Sequence, residues 1–141
     1  MAEFAAKVRE AHDAFNNRDF ERSATTLLSG SSTYIDHGTG ETMNGPTEFI
    51  GWLERHLKMS SDIQIVDAEY FESVDLVVAR FRGTGTQDGP MAFYPPSNKS
   101  FSFDVCEIYH LGTDGLVKEA HGYSDAFGVL MQLGHIEPPT G

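Results

Sequence analysis

Cysteine is nearly missing from this chain: Cys106 is the only one in 141 residues. No disulfide can close within the chain, and no cysteine-based zinc site can be built from it. In its setting, FSFDVCEIYH, a free cysteine serves as a small apolar residue of a strand. Basic residues are scarce too, 10 Lys and Arg against 21 Asp and Glu, for a formal charge of -11. Such a field repels phosphate backbones and anionic headgroups, so neither nucleic acid nor a membrane is expected as a partner. No run approaches the roughly 18 consecutive apolar residues of a bilayer-spanning helix. The opening MAEFAAKVRE lacks a basic start followed by an apolar stretch, and the expected location is the cytoplasm.

Ligand-binding motifs are also lacking. His37, His110 and His121 occur with Asp and Glu nearby, but without HxxxH or HExxH spacing, and no metal is expected. GTGTQDG follows a strand-like stretch but leads into an irregular loop rather than a helix, and no GxGxxG or phosphate loop is present. No cofactor is expected.

What is present suits one core. Hydrophobic residues make up 40% and aromatics 11%, and the length fits a single domain over 1–141. Phe4, Ala5, Val8, Ala11, Ala14 and Phe15 recur at helical spacing, with Asn16 and Asn17 as a stop. Asp19 can cap a second helix through Phe20, Ala24, Leu27 and Leu28, closed by Gly30. Ser32 to His37 reads as a short strand, and GTGETMNG after it as a loop. Pro46 opens a third helix to about Met59, with Phe49, Ile50, Leu53, His56 and Leu57 on one stripe and Trp52 at its edge.

From Asp62 the pattern changes to alternation. DIQIVDAEYF, DLVVARFRGTGTQ, SFSFDVCEIYHL and GLVKEAHGYSD read as four strands of an antiparallel meander, joined tightly at ESVD and TDG and loosely at DGPMAFYPPSN. The tail HIEPPTG is expected to be loose. The class is α+β, with three N-terminal helices laid on a strongly curved, mainly antiparallel sheet that encloses a pocket for an apolar small molecule.

This order of elements resembles the nuclear-transport-factor-2-like cone fold. His37 ending the first strand, GPTEF opening the third helix, ARFRGTGTQDG and the terminal GLVKEAHGYSDAFGVLMQLG are similar to the SnoaL-like branch, named for a polyketide ester cyclase. In that branch the closing strand carries an acidic residue, an aromatic two positions later and an Asp before a short helix ending in QLG, here Glu119, His121 and Asp125. His121 stands where the family commonly has Trp. The resemblance implies that Asp125 is the acid/base of an intramolecular aldol closure, and it favours His37 as a further site residue. It also implies homodimers formed through the outer sheet face.

Strand alternation gives an independent reading, because Val117, Glu119, His121, Tyr123 and Asp125 should share one face. If that face lines the pocket, a carboxylate beside a histidine suits proton transfer near neutral pH. If it is solvated, Tyr123 is a rim aromatic and Asp125 caps a helix starting near Ala126. On the first strand Tyr34 and Asp36 share a face opposite Ile35 and His37, leaving Asp36 as the fallback base. Trp52 and His56, four apart, can form a pocket wall with Phe49 or simply pack in the core. Phe101, Phe103, Val105, Glu107 and Tyr109 share a face in which a buried Glu107 is a second candidate acid.

The expected function is therefore cofactor-free acid/base catalysis on a hydrophobic oxygenated small molecule, with Asp125, His121 and His37 catalytic. Tyr123, Trp52, Phe49, Glu107, Tyr34 and Asp36 are expected to bind the substrate. A polyketide-type cyclisation or a related isomerisation fits. The alternatives are a non-catalytic carrier of the same fold, or a cone-fold epoxide hydrolase or dehydratase. For epoxide opening, Arg80 and Arg82 lack a carboxylate two positions on.

Overall fold

The computed structural model describes residues 3–139. Helix α1 (Glu3–Asn16) buries Phe4, Ala5, Val8, Ala11, Ala14 and Phe15, and on the same stripe His12. Helix α2 (Phe20–Leu27) starts where the Asp19 carboxylate accepts the Arg22 amide at 3.1 Å, satisfying one of the free N–H groups of the first turn. Strand β1 (Thr33–Asp36) follows. The segment expected as a loop instead forms a strand, β2 (Glu41–Asn44), which pairs antiparallel with β1 from Asp36↔Glu41 to Thr33↔Asn44. Turn-forming composition there conceals a hairpin, since Gly40 at φ +80° closes it.

Helix α3 (Gly45–Met59) begins at Gly45, φ +78°, with Pro46 in its first turn. The meander is β3 (Gln64–Glu72), β4 (Leu76–Thr86), β5 (Ser100–Leu111) and β6 (Val117–Ser124), closed by helix α4 (Ala126–Gln132). The sheet order is β2-β1-β6-β5-β4-β3, and β1 runs parallel to β6. Antiparallel pairs dominate, as the hairpin spacing requires. Among the described residues no helix is long and apolar enough to cross a membrane.

Two irregularities shape the sheet. Between Val66 and Glu69 the register with β4 shifts, and Asp67 takes φ 56°, a bulge that bends β3. Between His110 and Leu111 the partner jumps from Glu119 to Val117, so Lys118 is an extra residue in β6. That residue reverses the alternation, leaving Val117 and Ala120 buried inside and Lys118 and Glu119 exposed outside. The expectation that Val117 shares a face with Glu119, His121 and Tyr123 fails for this reason.

The core lies between the helices and the concave face, where Tyr34, Val77, Ala79, Tyr109 and Ala120 are almost fully buried. The tail is partly anchored. His135 Nε2 donates to Gln87 Oε1 at 2.6 Å, while Thr140 and Gly141, like Met1 and Ala2 of the opening segment, lie outside the described residues.

Candidate active site

Strand register sets one row across the concave face: Asp36 on β1, Gly122 on β6, Glu107 on β5, Ala79 on β4 and Tyr70 on β3. Two carboxylates thus stand two strands apart with a glycine between them. A Cβ at Gly122 would overlap the Tyr34 hydroxyl, which crosses this gap to donate to Glu107 Oε2 at 2.5 Å. The row borders a chamber of about 100 Å³, whose walls include Phe15, Leu27, Phe49, Phe81 and Val105.

Glu107 forms the floor. Its Oε1 accepts from His12 Nε2 at 2.8 Å and from the Tyr109 hydroxyl at 2.8 Å, and His12 Nδ1 lies 2.8 Å from the Tyr70 hydroxyl. Burial pushes a carboxyl toward its neutral form, but here the bonds and charge of His12, with Tyr34 and Tyr109, outweigh it and hold Glu107 below the usual carboxylate range. Burial, reinforced by that carboxylate, raises the Tyr34 and Tyr109 phenols well above their ordinary value and Tyr70 to about 12. The floor is therefore an ionised carboxylate ringed by neutral phenols.

The opposite end opens into a vestibule of about 530 Å³ between Met59, Met91, Tyr94 and the α4 residues Val129 and Leu130, with Arg55 and Lys58 on its wall. Asp36, Trp52, His56, Phe103 and Ser124 border both volumes and so form the neck between them. Asp36 is buried, its Oδ1 accepting the Gly38 amide at 2.8 Å and its Oδ2 the Trp52 indole N–H at 3.1 Å. His56 Nδ1 lies 2.8 Å from the Trp52 carbonyl. A carbonyl can only accept, so Nδ1 carries the proton and Nε2 of the neutral ring keeps its lone pair. Burial lowers the His56 pKa, opposed by the Trp52 carbonyl and by the charge of Asp36. Among the described residues neither His56 Nε2 nor the Ser124 hydroxyl has a hydrogen-bond partner, and neither atom is buried, so both are open to the space at the neck.

The family model for the SnoaL-like domain matches residues 8–120. The chain belongs to the SnoaL-like family. No curated protein matches its sequence significantly. Solved structures similar to this SnoaL-like chain include a proposed SnoaL-like polyketide cyclase from Jannaschia sp. CCS1, at 21% identity and TM-score 0.81, covering 95% of this chain and 92% of that one. TsrD from Streptomyces laurentii aligns at 22% identity and TM-score 0.80, covering 96% and 99%. A hypothetical protein of ketosteroid isomerase-like fold from Catenulispora acidiphila aligns at 20% and 0.75, covering 94% and 97%. At these identities the likeness establishes the cone fold shared by SnoaL-like and related proteins.

Within this SnoaL-like fold the expected site residues divide. Tyr34, Asp36, Phe49, Trp52 and Glu107 all border the chamber. His37, His121 and Tyr123 lie on the outer sheet face, stacked with His37 and Tyr123 ring centres 4.4 Å apart and His37 Nε2 2.8 Å from His121 Nδ1. Glu119 stands beside them, 3.6 Å from His121 Nε2. Asp125 is exposed and caps α4, its Oδ1 accepting the Gly128 amide at 2.8 Å. The capping alternative describes its geometry, and it is not among the residues bordering the chamber or the vestibule.

His12 and Ser124 went unnoticed in the sequence. His12 falls four residues after Val8 and three before Phe15, so its place on the buried stripe of α1 could have been read. Ser124 carried no such signal, because its inward direction depends on the extra residue at Lys118.

Proposed function

We propose that this chain is a cofactor-independent acid/base enzyme acting on a hydrophobic oxygenated small molecule, with His56 rather than Asp125 as its base. The observation that carries the reading is the unpartnered Nε2 of His56 at the neck, in a ring whose other nitrogen is committed to the Trp52 carbonyl. In the reaction, Nε2 removes a proton from a carbon beside a carbonyl, and the C–H electron pair becomes an enolate. Asp36 favours the imidazolium that forms, and the Ser124 hydroxyl is free to donate to the enolate oxygen. The enolate carbon attacks a second carbonyl of the same molecule, a C–C bond forms, and the new alkoxide takes its proton from His56. This is an intramolecular aldol closure of the polyketide-cyclase kind. Returning the proton to a different carbon instead gives an isomerisation. General acid/base transfer supplies about 10² to 10⁴ in rate, and holding the two ends together supplies more.

Epoxide opening has less support, because Arg80 and Arg82 pair outward with Glu69 and Asp67 and, among the described residues, no arginine borders the chamber. The test needs no natural substrate. With α-tetralone and a β-keto ester in D2O, the wild type should exchange α-protons above the buffer rate, followed by NMR. His56→Gln should return exchange to background with an unchanged circular dichroism spectrum. Ligand binding without exchange in the wild type would replace this reading with a carrier.

A further inference from the structure

The two volumes at the neck differ in what they accept. At about 100 Å³ the chamber is smaller than a cavity of about 150 Å³ that takes one benzene ring, whereas the vestibule offers about 530 Å³. A fused ring system fits only in the second. Among the described residues no Lys or Arg borders the chamber, and at its floor the hydroxyl protons of Tyr34 and Tyr109 and the Nε2 proton of His12 are turned toward Glu107. A floor with its donors so committed gives an oxyanion nothing to bond, and burying a carboxylate there without a partner is costly. The remaining surface is aliphatic and aromatic carbon, which favours an apolar group.

Phe103 stands at the neck with the four other residues that border both volumes. Its ring borders both, and it lies over Gly83, where a Cβ would sit 2.7 Å from two ring carbons. The ring keeps this position because residue 83 has no side chain.

We propose that the chamber is a subsite for one compact, uncharged, branched alkyl arm of the substrate, and that Phe103 is the sieve holding the rest of the molecule in the vestibule. The substrate is then a ketone with its carbonyl at the neck, a tert-butyl-sized arm inward and its larger body outward. The placement of the carbonyl rests on the His56 reading; the chamber's selectivity does not.

Pinacolone and pivalate share a tert-butyl group and differ in charge. Ligand-observed NMR titration of the full chain should show pinacolone binding at least about ten-fold more tightly than pivalate. Ala11→Val on α1 and Ile65→Phe on β3 narrow the chamber from opposite sides, and each should weaken pinacolone by about ten-fold or more. Phe103→Ala should let the adamantyl group of adamantyl methyl ketone reach the chamber, so that Ala11→Val weakens its binding in that background and not in the wild type. Equal binding of pivalate, or pinacolone binding indifferent to both narrowing variants, overturns the subsite. Because the first comparison uses the wild type, it decides even where a variant fails to fold. His56→Gln should keep pinacolone binding, so absent proton exchange in the wild type sinks the catalytic reading alone, while lost chamber dependence sinks the subsite alone.

Discussion

On the proposed reading, one hydrogen bond at His56 decides which nitrogen can act, and the charges around it decide at what pH. Its pKa lies below the ordinary 6.5, with burial the main cause. The neutral, basic form therefore persists below pH 6.5, and the exchange rate should fall only as pH drops through the lowered value. Asp36 opposes the shift, so Asp36→Asn should move this acid limb to still lower pH while its amide oxygen can keep the Trp52 bond. A pH–rate profile of ketone exchange checks both. Asp125→Ala should behave differently, losing the α4 cap at a cost of about 1 kcal/mol with exchange unchanged, as seen in a thermal melt and the same assay. Three residues of the neck are legible in the sequence, since Asp36, Trp52 and His56 are all singled out there. Positions near β6 are not, because alternation puts His121 and Asp125 on the pocket face, whereas the extra residue at Lys118 turns His121 outward and Asp125 caps α4.

At the scale of elements, hydrophobic alternation revealed the four meander strands, and helical spacing revealed α1, α2 and α3. Alternation alone misjudged β6, since a period of two holds only while no residue is inserted, and Lys118 is inserted. The β2 hairpin escaped for a related reason, its four residues ETMN carrying little β-branched or aromatic character. Close approach between β1 and β6 has an energetic side too. Gly122→Ala should push the Tyr34 hydroxyl off Glu107, leaving a buried carboxylate short of a donor. A destabilisation of about 1–3 kcal/mol is expected by urea titration.

For the whole molecule, the floor couples folding to acidity. Glu107 is held below its ordinary 4.5, so its contribution to stability is complete above that value and is lost as pH falls through the lowered one. His56 acts in the same direction at higher pH, because the unfolded chain takes up its proton first as acid is added. His12→Leu removes a buried partner of Glu107 and should cost about 3 kcal/mol, read as a lower melting temperature. The homodimer expected from the sequence would use the outer face, where Tyr123 is 44% exposed. Light scattering should give twice 15.6 kDa, falling to the monomer mass in Tyr123→Asp.

Gln87 is fully buried, its amide nitrogen donating to the Gly89 and Pro95 carbonyls and its oxygen accepting from Ser97 and His135. One side chain therefore ties the segment 88–98, which supplies Pro90, Met91 and Tyr94 to the vestibule wall, to the residues that follow α4. Trimming the chain after Gly134 removes that tie without touching the sheet. Limited chymotrypsin digestion of the trimmed protein should cut first after Phe93, long before any strand is nicked.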